Sequence, residues 1–414
     1  MNAFYEYLTA LNEFKFDFSL SRIKDTLRFL KNPQNAFEVI HITGSNGKGS
    51  IATYIAGIFK THGIKTGLYT SPHFRNVRER IAVNGRPVAL NIFLEQGTKL
   101  KNLIESKKIK LTYFEFLTVL AFMIFKLKKV KVGVVEVGLG GRYDATNVVY
   151  KNKLLSIISS VSKEHTEYLG NTLLSILKEK EQIIGAGKCV TGIKNKELKA
   201  YLKKTHKTRV VFANEKYDIL KVSGAPEGLK IKMFDKTKKV QISLTTKMLE
   251  PVQAENIRVV LAVVEELKNR WKLNSGKVFK AIATVSVTGR MSSKKGVYLS
   301  VAHNPEAVER MLEAVALLHT GKKIKYIFSV LKDKNIDEIM KIVAKNKNIS
   351  IIITSIKDNP RAMDTAKIVE TANKYKIKNV IIKDLSELKK FVNKKKDSGI
   401  IIIGGSFYLV KEFI

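Results

Sequence analysis

The chain has 414 residues, a single cysteine, 45% hydrophobic residues and a formal net charge of +37. One cysteine, Cys189, excludes an internal disulfide framework, and the composition excludes collagen-like and disordered classes. The length exceeds what one compact core usually holds, so two domains are expected.

The N-terminal stretch MNAFYEYLTALNEFKFDF has no basic region ahead of an apolar run, so it does not read as a secretory signal. The best candidate span, residues 117–125, falls short of the roughly 18 apolar residues a membrane helix needs. A cytoplasmic chain with no membrane partner is expected. The lysines are scattered (Lys107-Lys108, Lys128-Lys129, Lys203-Lys204) and are not interleaved with aromatics. They read as solvated lysines, so no specific nucleic-acid partner is expected.

In chain order, residues 19–30 read as a helix closed by Pro33. The apolar run 37–42 reads as a strand, followed by a glycine-rich turn and a helix over 50–62. Residues 65–69 form a second short strand, 112–125 a helix, and the β-branched run 130–137 and residues 154–159 two buried strands. Strands alternating with helices imply a parallel, doubly wound sheet. Residues 210–244 alternate in short runs with Gly224, Pro226 and Gly228 as turn residues, which predicts a small antiparallel patch. Helical periodicity returns over 253–269. From about residue 285 the alternation restarts, with strands at 297–302, 325–330, 350–354, 379–382 and 399–403 and a helix at 305–318. The expected fold is α/β: a parallel-sheet domain over 1–284 with a small antiparallel patch, then a smaller Rossmann-like domain over 285–414.

The segment His41-Ile42-Thr43-Gly44-Ser45-Asn46-Gly47-Lys48-Gly49-Ser50 lies between a predicted strand and a predicted helix. Glycines there let backbone N–H groups turn toward phosphate oxygens, Lys48 can reach terminal phosphates, and the Ser50 hydroxyl can ligate Mg²⁺. The spacing departs from the common phosphate loop. Ile42 stands at the first glycine position, and Gly49 separates Lys48 from Ser50. Glu136 ends a buried strand ahead of Gly138-Leu139-Gly140-Gly141. It either ligates Mg²⁺ or closes a strand-end salt bridge. His165 is a second metal ligand or an inert surface histidine. Lys180, in Glu179-Lys180-Glu181, reads by itself as part of a solvated helix face. His303, at a strand-to-helix junction before Asn304-Pro305, is a site residue or part of a structural cap.

Taken together, HITGSNGKGS (41–50), TSPHFRNVRERIAVNG (70–85), TYFEFLT (112–118), VEVGLGGRYDATNVV (135–149), EHTEYLGNTLLSILKEKEQI (164–183), VQAEN (252–256), TGRM (288–291), VAHNPEA (301–307), SVLKDKN (329–335) and GGSFYLV (404–410) resemble the folylpolyglutamate synthase/dihydrofolate synthase family of the Mur ligase superfamily. The resemblance spans nearly the whole chain, and GLGGRYDATN is its most specific segment. It implies an ATP- and Mg²⁺-dependent ligase. The γ-phosphate passes to a substrate carboxylate, and the amine of L-glutamate displaces phosphate from the acyl phosphate.

By motif position, the resemblance implies catalytic roles for Lys48, His165 and Lys180. It implies two Mg²⁺ ions held by Ser50, Ser71, Glu136 and His165, and nucleotide contacts from Gly44, Ser45, Asn46, Gly47, Lys48, Gly49, Ser50, Asn256, Arg290 and His303. A pteroate or folate site is implied at Phe16, Asp17, Phe18, Thr112, Tyr113, Phe114, Glu115, Tyr143, Asp144 and Ala145. Lys180 matches a lysine that the family carbamylates. The acid would be dihydropteroate, folates or both, and the enzyme a monomer. A superfamily ligase for another acid, or a nucleotide-binding relic without ligation, are the alternative readings.

Four departures from the family pattern stand out. Glu164 replaces the Asp before the metal histidine, Thr288 replaces a proline, and EKAGI has become EKEQI. Ser300 replaces an Asp three residues before His303. The last removes a carboxylate that serves nucleotide binding, and Ser300→Asp is expected to strengthen ATP binding.

Overall fold

The computed structural model describes residues 3–11, 19–225, 227–287, 289–294, 296–356, 359–394 and 399–414. The first sheet contains β1 (Glu38–Thr43), β2 (Thr66–Tyr69), β3 (Ile81–Val83), β4 (Arg86–Pro87), β5 (Val132–Glu136), β6 (Lys153–Ile158), β7 (Lys188–Thr191) and β8 (Val210–Phe212). Their order is β4-β3-β2-β5-β1-β6-β7-β8. The six strands from β2 to β8 in that order are parallel, and the β3–β4 hairpin adds an antiparallel edge. The sequences dictate this. β1 (EVIHIT) and β5 (VGVVE) are nearly continuous apolar runs, and their residues are almost all buried, as strands covered on both faces must be.

The helix Tyr113–Leu127 packs into one face of this sheet and buries Phe116, Phe122 and Phe125 completely. Each such ring contributes on the order of 1.5–3 kcal/mol by leaving water. Thr112 starts the helix with a capping box: its Oγ1 accepts from Glu115 N at 3.3 Å, and Glu115 Oε2 accepts from Thr112 N at 2.7 Å. Among the described residues, no helix is long and apolar enough to cross a membrane.

A three-stranded sheet follows, with β9 (Tyr217–Ala225), β10 (Gly228–Asp235) and β11 (Val240–Thr246) adjacent in sequence order. Connections this short join only antiparallel neighbours. The expected patch is therefore present but begins later than the alternation suggested. Residues 210–212 belong instead to β8, which pairs in parallel with β7 through Cys189, Val190 and Thr191. A short apolar run cannot announce which sheet it joins.

The remaining strands, β12 (Arg290–Lys294), β13 (Val297–Ser300), β14 (Ile324–Phe328), β15 (Ile349–Ile353), β16 (Val380–Ile382) and β17 (Ile400–Gly404), form a sheet in the order β12-β13-β17-β14-β15-β16. All of its pairings are parallel except β12 against β13. Compactness divides the chain into two units. The first holds residues 1–218, 234–241 and 255–282, and the second holds residues 219–233, 242–254 and 283–414.

Candidate active site

In the first unit, the C-terminal ends of the adjacent strands β2, β5, β1 and β6 converge, which is where open parallel sheets place ligands. The glycine loop leaves β1 there. Gly44 has φ +141°, and a Cβ on it would sit 1.9 Å from Ser159 Oγ. Gly47 has φ +87° and stands at the N-cap of the helix Lys48–Thr61, where a Cβ would lie 2.4 Å from Asn256 Oδ1. Both positions therefore require glycine. The turn points the helix N-terminus, with its free N–H groups and positive dipole end, at the space above the sheet.

A serine-rich segment after β6 fixes the loop. Ser45 N donates to Ser160 O at 2.9 Å, Asn46 N donates to Ser160 Oγ at 3.0 Å, and Ser159 Oγ donates to Asn46 O at 2.6 Å. Ser45 Oγ accepts from Ser162 N at 3.0 Å. The sequence reading missed this clamp, although three serines at the end of an apolar strand are its visible trace. Lys48 Nζ donates to Gly44 O at 2.6 Å and Ser45 O at 3.3 Å, so its ammonium lies over the loop.

Glu136 is 4% exposed at the end of β5. Its Oε2 accepts from Ser71 N at 3.1 Å, and its carboxylate lies about 3.6 Å from where a Cβ on Gly49 would be. Ser50 Oγ, one residue on, is buried without a hydrogen-bond partner. A buried hydroxyl left unpaired costs on the order of 1–3 kcal/mol, so this atom is placed for a ligand. A buried carboxylate against the first turn of the helix that carries this hydroxyl fits a hard divalent cation such as Mg²⁺. Among the described residues, no three His, Cys, Asp or Glu side chains converge on one point. The donor set thus suits a cation that takes most of its ligands from phosphate and water.

Lys180 corrects the reading from local sequence. It is 1% exposed, and its Nζ donates to Glu164 Oε1 at 2.7 Å. The helix Leu173–Lys180 ends there against the glycine-rich turn, and a Cβ on Gly141 would lie 2.9 Å from Lys180 O. Tertiary packing, which local charge pattern does not report, buries the side chain. Burial lowers the Lys180 ammonium to about 8, with Lys48 adding to the shift and Glu164 opposing it. Burial would raise Glu164, but Lys48 and Lys180 overcome it and hold the carboxyl at about 2. Glu164 is therefore ionised at neutral pH. His165 follows in left-handed backbone (φ 44°) and is half-buried. Lys48, Glu164, His165 and Lys180 line one small pocket with Thr43 and Gly138 to Gly140.

Behind the pocket runs a network that the sequence reading did not foresee. Asp144 Oδ2 accepts from Gly138 N at 2.9 Å and Leu139 N at 3.0 Å. Thr146 Oγ1 donates to Asp144 Oδ1 at 2.5 Å and meets His41 Nε2 at 2.8 Å. Burial, and secondarily Lys153, hold His41 well below the usual histidine range, so the ring is neutral. Asp144 thus organises the glycine-rich turn through its own backbone.

The other residues expected at an acid-substrate site are partly engaged within the protein. Glu115 is buried in the capping box and also accepts from Arg22 Nη2 through both oxygens at 3.1 Å. Tyr113 is buried with the Arg80 guanidinium 5.3 Å from its ring centre, and Phe114 lies 5.9 Å from the Tyr69 ring. Ala145 is buried, whereas Tyr143 is 46% exposed. Phe16, Asp17 and Phe18 lie outside the described residues.

In the second unit, Arg290 opens β12 opposite Ser300. His303 Nδ1 donates to Val301 O at 2.8 Å. Asn304 is a helix cap, its Oδ1 accepting from Ala307 N at 2.8 Å ahead of the helix Pro305–Leu318.

Comparison with known proteins bears on this geometry. Residues 42–264 match the Mur ligase middle domain, and residues 287–407 match the Mur ligase, glutamate ligase domain. The chain is 30% identical over 420 residues to a probable dihydrofolate synthetase of Schizosaccharomyces pombe, covering 95% of this chain and 96% of that one. It is 29% identical over 408 residues to a dihydrofolate synthase/folylpolyglutamate synthase of Bacillus subtilis, covering 95% and 93%. Its fold is similar to a Mycobacterium tuberculosis folylpolyglutamate synthase complexed with ADP, with a TM-score of 0.85 at 25% identity over 98% of this chain and 96% of that one.

Proposed function

The chain belongs to the Mur ligase family, and from that premise we propose that it joins L-glutamate both to dihydropteroate and to folates at the expense of ATP. The observation that carries this reading is the buried Glu136 carboxylate against the first turn of the helix that also carries the orphaned Ser50 hydroxyl, at the foot of a loop shaped for phosphate. In this reading the loop of Gly44 to Gly49 holds the ATP phosphates by backbone N–H groups, and Lys48 neutralises the phosphoryl group in transfer. Asn256, Arg290 and His303 complete the nucleotide contacts. Ser50, Ser71, Glu136 and His165 hold Mg²⁺ at two sites, and Glu136 keeps its place through the Ser71 N–H. Bound Mg²⁺ supplies charge neutralisation on the phosphate oxygens.

The acid binds at Tyr143 and the segment 112–115, with Phe16, Asp17 and Phe18. Its carboxylate takes the γ-phosphate, and the glutamate amine attacks the acyl carbon of the resulting acyl phosphate, forming the amide bond and releasing phosphate and a proton. We assign ATP binding to residues 1–284 and the Rossmann-like domain to 285–414. We place the enzyme in the cytoplasm as a monomer. Offered dihydropteroate and tetrahydrofolate separately with ATP and glutamate, the protein is expected to extend each by one glutamate, read by chromatography and mass. If it binds ATP yet extends neither acid, the nucleotide-binding relic is the better account.

Lys180 carries a second part of the proposal. Its free amine adds to CO₂ to give a carbamate and release a proton, which would put a negative oxygen in the pocket that His165 also lines. A lysine lowered to about 8 has an appreciable amine fraction at neutral pH, which supports this. The Glu164 ion pair favours the ammonium and opposes it. Lys180→Ala is expected to lose about 10²-fold in turnover, comparable to loss of one preorganised electrostatic group. Short carboxylic acids should restore part of it. Active wild-type enzyme prepared under CO₂ and showing only a free amine by intact mass would rule carbamylation out.

A further inference from the structure

The opposite end of the first sheet carries a groove that the ligase reading leaves unused. The start of β1, the turn before β5, the end of the helix Tyr113–Leu127 and the end of the helix Gln253–Trp271 meet there around a cavity of about 620 Å³. That volume lies within the range of small-molecule sites. All of its lining residues belong to the first unit. Phe37, Val130 and the half-buried indole of Trp271 give it an apolar lining. Its charge is one-sided. Glu38 is the one acid among the lining residues, and the Arg270 guanidinium already donates to both of its oxygens. Lys126, Lys129 and Lys131 also line the groove, are exposed and, among the described residues, form no salt bridge. Two helices end here, and their C-terminal dipoles bring about half a negative charge each, offsetting about one of these three ammoniums. The groove therefore stays cationic. A lysine alone on a convex surface is simply solvated, but three that share a concave, partly apolar space focus their field into it.

The groove is not the nucleotide site. The helix Gln253–Trp271 has its other end at the phosphate loop, where Asn256 Oδ1 would meet a Cβ on Gly47. Asn256 and Trp271 stand roughly 22 Å apart along that helix. We propose that the groove binds a small organic anion with a flat apolar body and two or more negative charges, carried on carboxylate or phosphate. Its acidic groups meet Lys126, Lys129 and Lys131, and its ring packs against Trp271. Trp271 is the single tryptophan of the chain, so its emission reports occupancy directly. Its indole N–H is buried without a hydrogen-bond partner, and the ring stands edge-on to Phe59 with centres 5.7 Å apart, so packing alone sets its surroundings.

The test titrates the protein at low salt with trimesate, a benzene ring carrying carboxylates, and separately with phenyl phosphate, reading Trp271 emission and binding heat. At least one probe should bind with a saturable change in emission, and the tighter of the two names the acid that the groove prefers. Lys126→Gln, Lys129→Gln and Lys131→Gln combined should weaken that binding about tenfold or more, as the loss of several exposed charge contacts does. The same loss of charge at Lys345, Lys347 and Lys378, exposed in the second unit, should leave it unchanged, and so should Lys48→Ala at the phosphate loop. Failure of both probes to bind at millimolar concentration, or equal weakening by the two triple variants, overturns the inference. Binding that Lys48→Ala abolishes overturns it too, because the probe would then sit at the phosphate loop. Occupancy is read without turnover, so the result does not depend on the ligase reading.

Discussion

Lys48→Ala is expected to lower turnover by about 10²–10³-fold while the protein stays folded, the usual cost of removing one preorganised electrostatic contact to developing charge. The fold should survive because the loop does not depend on this side chain. Its conformation is set by Gly44 and Gly47 and by the hydrogen bonds to Ser159, Ser160 and Ser162. The ammonium donates to the carbonyls of Gly44 and Ser45, so its removal costs two side-chain hydrogen bonds and leaves the backbone bonds of the loop in place. Turnover measured alongside a thermal melt separates the two effects. An unchanged melt with near-normal turnover would remove Lys48 from the chemistry.

Glu136→Gln should have an effect of similar size, at least about 10²-fold, because it deletes a charge without changing shape. The amide still offers an oxygen to Ser71 N, so the local backbone should hold. What it cannot do is neutralise a divalent cation. The variant should therefore need more Mg²⁺ for half-maximal activity, with the titration displaced to higher concentration. Ser50→Ala should displace it in the same direction by less, since a neutral hydroxyl is a weaker donor than a carboxylate. A Glu136→Gln enzyme with the wild-type Mg²⁺ requirement would show that the carboxylate serves only the strand end.

Much of this site was legible in the sequence, and for identifiable reasons. β1, the glycine loop and the following helix form a local unit in which an apolar run, two obligatory glycines and a periodic helix agree. Glu136 was legible because a carboxylate ending a buried strand needs a cation or a hydrogen-bond donor to offset its lost hydration. What local pattern could not show was who the neighbours are. Lys180 sits among charged residues and reads as solvated, yet packing against the turn at Gly141 and pairing with Glu164 bury it. The Asp144, Thr146 and His41 network joins residues about a hundred positions apart, and it exists only once β1 lies beside β5.

The most direct measurement of the central claim is ADP formation by the wild-type protein when ATP with Mg²⁺, L-glutamate and a pteroate or folate acid are each withheld in turn. Sustained ADP release that needs all three is the predicted result. Release that proceeds equally well without glutamate and without any acid, or no release with all three present, would contradict it.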